Sequence, residues 1–136
     1  MSNYVQAVTA MQSFFNTGWA GATPIRWGAD DPSEPANGIN WVRFGIRHND
    51  GLQSTMGSPG SNRFRHIGII TAQVFTPEGS YGVDARALAS DMLELYQGKE
   101  DSGIYYYNVR ADEVGNDGFG WYQINVVIEF RYDNIT

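Results

Sequence analysis

The sequence predicts an α+β fold: one domain, with two helices packed on a largely antiparallel or mixed β-sheet. Two segments repeat apolar residues at helical spacing and four alternate apolar and polar residues at strand spacing, in the order helix, strand, strand, helix, strand, strand. Strand pairs joined by loops leave an apolar sheet face that helices can cover. The length, 136 residues, suits a single domain spanning residues 1–136, which at this size buries roughly 70% of the surface its unfolded chain exposes. No internal repeat, low-complexity tail or linker divides it.

The first helix is predicted over residues 3–16. Tyr4, Val8, Met11 and Phe15 share a face, Ser2 or Asn3 caps the start, and Asn16-Thr17-Gly18 stops it. After the short piece Ile25-Arg26-Trp27, residues 28–38 form a turn-rich loop. Residues 39–48 alternate, with Val42, Phe44 and Ile46 on one side and Arg43, Gly45 and Arg47 on the other. Residues 49–62 are polar and glycine-rich and read as a long loop.

A second strand covers 63–76 and ends at Pro77-Glu78-Gly79. The clearest helix spans 83–97, where Ala85, Leu88, Ala89, Met92, Leu95 and Tyr96 form one stripe and Gly98 sits just past the end. Residues 103–111 are strand-like, and Tyr106 faces away from Tyr105 and Tyr107. After the turn Gly115-Asn116-Asp117-Gly118, residues 120–132 place Ile124, Val126, Ile128 and Phe130 opposite Gln123, Asn125, Glu129 and Arg131.

The composition excludes more than it reveals. With no cysteine there is no disulfide framework, thiol nucleophile or thiolate metal site. A net charge of −6 argues against holding nucleic acid by its phosphates. No run of eighteen apolar residues suggests a membrane span, and the first fifteen residues lack the charged start and apolar core of a signal peptide. Eight of the nine basic residues are arginine, Lys99 being the exception, and arginine is favoured where planar ion pairs form at interfaces.

No catalytic, cofactor or metal constellation emerges. His48 and His66 would make an acid–base pair only if their strands were neighbours, and Arg47 and Arg65 beside them depress imidazole basicity. The plainer reading gives each a solvent or backbone partner. Asp30, Asp31 and Glu34, like Asp112, Glu113 and Asp117, read as solvated turns without calcium-loop spacing. No nucleophile elbow, dinucleotide or phosphate loop opens a helix. What remains is charged surface: Arg43, Arg47, Arg63 and Arg65 on two successive strands, and Asp84, Asp91 and Glu94 on the second helix. These sets pair either within the fold or between copies in a head-to-tail contact, the kind that closes rings when the rotation allows.

Between Trp27 and Asp133 an ordered series of features appears: Trp41-Val42-Arg43 after a Pro-rich loop, the loop DGLQSTMGSPGSNR, then Arg65-His66-Ile67-Gly68. It continues with Ala72-Gln73-Val74-Phe75-Thr76-Pro77-Glu78-Gly79, the helix Ala85 to Leu95, Asp117-Gly118, Trp121-Tyr122-Gln123 and a last strand ending Phe130-Arg131-Tyr132. The series resembles the tail-terminator (tail-completion) proteins of long-tailed double-stranded DNA bacteriophages. The resemblance implies a ring-forming subunit, a hexamer in relatives, without catalysis or cofactor. Its ring caps the tail tube, ends tube polymerisation and offers the head-docking surface, with genome DNA passing through unbound.

On that reading the partners are other copies of the chain, the tail-tube protein and a head–neck connector, and the location is the head-proximal tail of the virion after assembly in the host cytoplasm. The arginines and the acidic helix become the subunit interface, and Gln53, Ser54 and Met56 of the 49–62 loop the tube contact. Two alternatives stay open: another phage connector or tail-tube subunit, and a small hydrolase or isomerase using His48, His66 and an acidic partner.

Overall fold

Helix α1 (Tyr4–Trp19) starts at a reciprocal cap. The Gln6 N–H donates to Asn3 Oδ1 at 2.9 Å, and the Asn3 N–H donates to Gln6 Oε1 at 3.2 Å. Its buried stripe is Ala7, Met11, Phe15 and Trp19, which keeps Met11 and Phe15 of the predicted stripe but not its start: Tyr4 is 59% exposed and Val8 is only half-buried. The helix also runs through the predicted stop at Asn16–Gly18. Gly18 lies against the Leu95 side chain, whose methyl groups would have to shift for a Cβ there. Close packing there outweighs glycine's weak helix propensity, and Trp19 completes the stripe before Ala20 turns left-handed at φ 51°.

The computed structural model describes residues 3–27, 40–77, 82–116, 118 and 120–135. The predicted 28–38 loop, with Asp30, Asp31 and Glu34, lies outside them, as do Glu78, Gly79 and Asp117. The remaining elements are β1 (Ile25–Trp27), β2 (Trp41–Gln53), β3 (Arg63–Pro77), α2 (Val83–Tyr96), β4 (Glu100–Asp101), β5 (Ile104–Asn116) and β6 (Trp121–Ile135). They form one six-stranded sheet in the order β1-β2-β3-β6-β5-β4. The β1–β2 pair is parallel and every other neighbour antiparallel, so the fold is α+β with a mixed sheet.

Directly opposed residues on neighbouring strands share a face. Val42 opposes Val74, which opposes Ile124; Phe44, Ala72 and Val126 form the next row, and Ile46, Ile70 and Ile128 the third. This inner face meets both helices. Ala85, Ala89, Met92 and Tyr96 of α2 join Met11 and Phe15 of α1 over it, with Phe15 stacked on Phe44 at 4.6 Å. Tyr106 is buried there and Tyr105 exposed, as the alternation predicts. Past the end of α2, Gly98 has φ +68°, the conformation a helix terminus asks of glycine.

The predicted 49–62 loop is mostly strand and turn. Residues 50–53 pair with 64–67 of β3 after a bulge between His48 and Asp50. Backbone pairing needs no apolar side chain, so polarity alone misplaced the strand end. The remaining turn is tied down: the Ser54 N–H donates to the Arg63 carbonyl at 2.8 Å, the Arg63 N–H to Thr55 Oγ1 at 2.7 Å and the Ser58 N–H to Asn62 Oδ1 at 3.2 Å. Asp112 and Glu113 likewise lie on β5 rather than in a turn. Among the described residues no helix is long and apolar enough to cross a membrane.

Candidate interaction surface

The outer face of the sheet carries the arginines. Arg26 and Arg43 are opposed across β1 and β2 and lie over the Trp41 ring at 5.0 and 5.4 Å. Trp41 stacks on Phe75 at 4.2 Å and meets Trp121 edge-on at 6.0 Å, so these three rings form a cluster separate from the main core. Two buried donors there, Trp41 Nε1 and Arg43 Nε, have no hydrogen-bond partner among the described residues. Arg47 follows on the same face, exposed and without an ion-pair partner among the described residues.

Arg63 and Arg65 sit further along, at the end of the sheet nearest the β2–β3 turn. Arg65 donates twice to Asp133, at 3.0 and 3.2 Å, a bidentate fork on a carboxylate, and Arg63 approaches the same carboxylate at 3.9 Å. The hydrogen bond from Arg65 is the main reason the Asp133 carboxyl is held below its ordinary range, with the charges of Arg63 and Arg131 adding to it. Arg131 lies over the Tyr105 ring at 5.0 Å. These residues, with Gly103 and Tyr132, line a cleft of about 330 Å³. A broader hollow of about 690 Å³ adjoins it, sharing Tyr105 and Arg131 and bounded by Tyr106, Tyr107, Lys99 and Glu100.

Asp84, Asp91 and Glu94 are exposed on α2, which covers the opposite face of the sheet. The intramolecular pairing considered for these acids is therefore replaced. Among the described residues Arg63 and Arg65 take Asp133 of β6, and the charge of α2 that reaches the sheet is Arg86, bonded to Glu113 at 2.9 Å. The four arginines also spread along the sheet: Arg43 lies beside Trp41, Arg63 and Arg65 at the other end, and Arg47 between them, opposite Ile69. Gln53, Ser54 and Met56 do come together at the β2–β3 turn, with Gln53 paired to Phe64 and Met56 83% exposed.

His48 and His66 become neighbours across β2 and β3, on the inner face beside the start of α1. Their ring centroids are 6.4 Å apart. Each has a side-chain partner rather than solvent or backbone: His48 Nε2 lies 2.7 Å from Tyr132 Oη and His66 Nε2 lies 2.6 Å from Asn134 Oδ1. Tyr4 covers His48 at 4.5 Å and Tyr132 stacks on His66 at 4.9 Å. Burial, helped by the nearby His66, lowers the His48 pKa. Neither ring has a carboxylate partner among the described residues, and no group of three metal-ligating side chains gathers there either.

Sequence reading put Arg131 on the polar side of the last strand but singled out neither it nor Asp133, Tyr105 and the Trp41 cluster as site residues. Arg65 and Asp133 are 68 residues apart and meet only through the β3–β6 register, which no local periodicity announces. No protein-family model and no curated protein matches the chain. The fold does have a counterpart among solved structures, in a protein named only by a sequence label. It aligns with a TM-score of 0.59 over 95% of this chain and 95% of that one, at 17% identity. At that identity the likeness shows a shared fold alone.

Proposed function

We propose that the chain is a structural subunit of a long-tailed double-stranded DNA bacteriophage. It forms a ring, a hexamer by its resemblance to tail-terminator proteins, that caps the tail tube, ends tube polymerisation and presents the head-docking surface. The observation that carries this reading is the placement of charge. The outer sheet face is basic through Arg43 and Arg47, and the exposed side of α2, beyond the opposite face of the sheet, is acidic through Asp84, Asp91 and Glu94. A head-to-tail contact requires two complementary patches on different sides of one subunit, and repetition of such a contact closes a ring or extends a filament.

On this reading the β2–β3 turn, with Gln53, Ser54 and exposed Met56, meets the tail-tube protein, since methionine adapts readily to a partner surface. A head–neck connector binds the other side of the ring, and the assembled protein resides at the head-proximal end of the tail. DNA passes through the ring without being gripped.

Purified tail-tube protein allowed to polymerise with and without this chain tests the reading by electron microscopy. Shorter capped tubes and ring-shaped particles are expected, with the double reversal Arg43→Glu and Arg47→Glu weakening the rings while the subunit stays folded. Tube lengths unaffected by the wild-type chain would overturn the tail-terminator role, and the position of the protein in virion images separates it from a connector or tube subunit. Infectivity that survives replacement of both His48 and His66 by alanine would remove the hydrolase alternative.

A further inference from the structure

The cleft at the β3–β6–β5 end of the outer face holds more positive charge than the fold itself uses. Arg63, Arg65 and Arg131 surround one carboxylate, Asp133, so the lining of the cleft carries two positive charges in excess in a protein of net charge −6; the next carboxylate along β6, Glu129, lies opposite Tyr107 outside it. Asp133 shows what these guanidiniums hold: Arg65 grips it with both arms of its fork while Arg63 stands off at 3.9 Å. Arg131 faces the Tyr105 ring and has no ion-pair partner among the described residues. Arg63 is half exposed and Arg65 about a third, so their remaining donors are open to solvent. The adjoining hollow is walled by the rings of Tyr105 and Tyr107, with Tyr106 between them turned into the core, and Lys99 and Glu100 on its rim offset one another.

We infer that this cleft binds a phosphate monoester that carries an aromatic or apolar group. The phosphate sits among Arg63, Arg65 and Arg131, and the organic part lies in the tyrosine-walled hollow. A phosphate monoester carries about −1.5 to −2 charge at neutral pH, which matches the two uncompensated charges where a single carboxylate would leave one. Arginine suits the task because its fork presents several donors to the oxygens of one anion. Tyr105 links the two halves, bordering the charged cleft and the hollow alike. The inference does not rest on the ring reading, although the cleft adjoins the β2–β3 turn through the backbone bonds of Arg63; its test reads anion binding by the chain without tail tubes.

The test follows the Nε–Hε NMR signals of the arginines while the intact chain is titrated, at constant ionic strength, with inorganic phosphate, phenyl phosphate, benzoate or chloride. Saturable shifts are expected at Arg63 and Arg131 but not at Arg43. Phenyl phosphate should bind about 3-fold more tightly than phosphate, the range of a ring contact, and benzoate more weakly than either. Arg131→Gln should weaken both phosphates about 10-fold, and Arg63→Gln serves the same purpose should Arg131→Gln disturb the fold. Tyr105→Ala should abolish only the phenyl advantage. Linear shifts of equal size with chloride, or affinities unchanged in both arginine variants, would overturn the site. Phosphate binding without any phenyl advantage would overturn the ester and leave an inorganic anion site.

Discussion

On β3, Ile70, Ala72 and Val74 are fully buried beneath two helices, while Ile67, Ile69 and Thr71, one residue out of phase on the same strand, are only half-buried. The inner face is continuous and apolar. The outer face is a mosaic of half-covered aliphatics, a three-ring aromatic cluster and most of the chain's arginines. One strand therefore divides its labour by parity: one set of side chains holds the fold together, and the other is left for electrostatics and partners. Buried apolar area stabilises in proportion to its extent, so the two faces should respond unequally to similar substitutions.

The largest expected difference comes from removing one ring from each face. Phe15→Ala deletes a ring packed against Phe44, Trp19 and Tyr96 in the enclosed core and should cost about 3–5 kcal/mol. Phe75→Ala deletes a ring of the outer cluster that is still 7% exposed. That site can collapse or admit water, so about 2 kcal/mol is expected. Denaturant midpoints at constant slope measure both. Equal losses would mean that the Trp41 cluster is a second core, and the outer face would then be less free to serve a partner.

A subtler contrast lies at the open end of the inner face, where His48 is packed among Tyr4, His66, Phe130 and Tyr132. Burial lowers its pKa from the ordinary 6.5. The unfolded chain therefore takes up the proton first as pH falls, and folding stability should decline below about pH 6.5, the decline ending once the folded protein also protonates. His48→Gln should flatten that part of the profile. Because the first turn of α1 rests on this ring through Tyr4, the acid-induced loss should appear there as faster amide exchange before the sheet centre opens. A profile unchanged by His48→Gln would show that another group governs stability in that range.

The same parity explains what could be read in advance. Strands with strict alternation, such as Val42 to Ile46 and Ile124 to Phe130, and the helix stripe from Ala85 to Tyr96 declare a buried face locally, and all were legible. β1 and β4, of three and two residues, are too short to show a period. The polar end of β2 is held by backbone bonds to β3, which composition does not report. Trp19 entered the core through a helix that continues past Gly18, where the missing side chain leaves space for Leu95, a tertiary fact. The candidate surface was half legible: Arg43, Arg47, Arg63 and Arg65 stood out as outward-facing arginines, but their spread along the sheet depends on register. The company of Asp133, Arg131 and Tyr105 at one end depends on the order in which distant strands pair.

The smallest expected effect on stability belongs to Asp133→Asn. The carboxylate is already held by Arg65 and approached by Arg63, yet these arginines are well exposed and water screens the pair. The amide also keeps one oxygen able to accept from Arg65, so the melting temperature should fall only slightly at neutral pH. The folded-state pKa of Asp133 lies below its ordinary 3.8, chiefly through the Arg65 hydrogen bond. The contribution of the pair is therefore complete above that ordinary value and is lost as pH falls through the folded one. Variant and wild type should converge in acid, and added salt should narrow the gap at neutral pH. Phosphate binding should move the other way: with the competing carboxylate gone, all three guanidiniums are left for the anion and affinity should rise. A large stability loss with no gain in phosphate affinity would identify Arg65–Asp133 as a structural clasp closing the β3–β6 end, and the outer face would have to be credited with holding the fold as well as presenting charge.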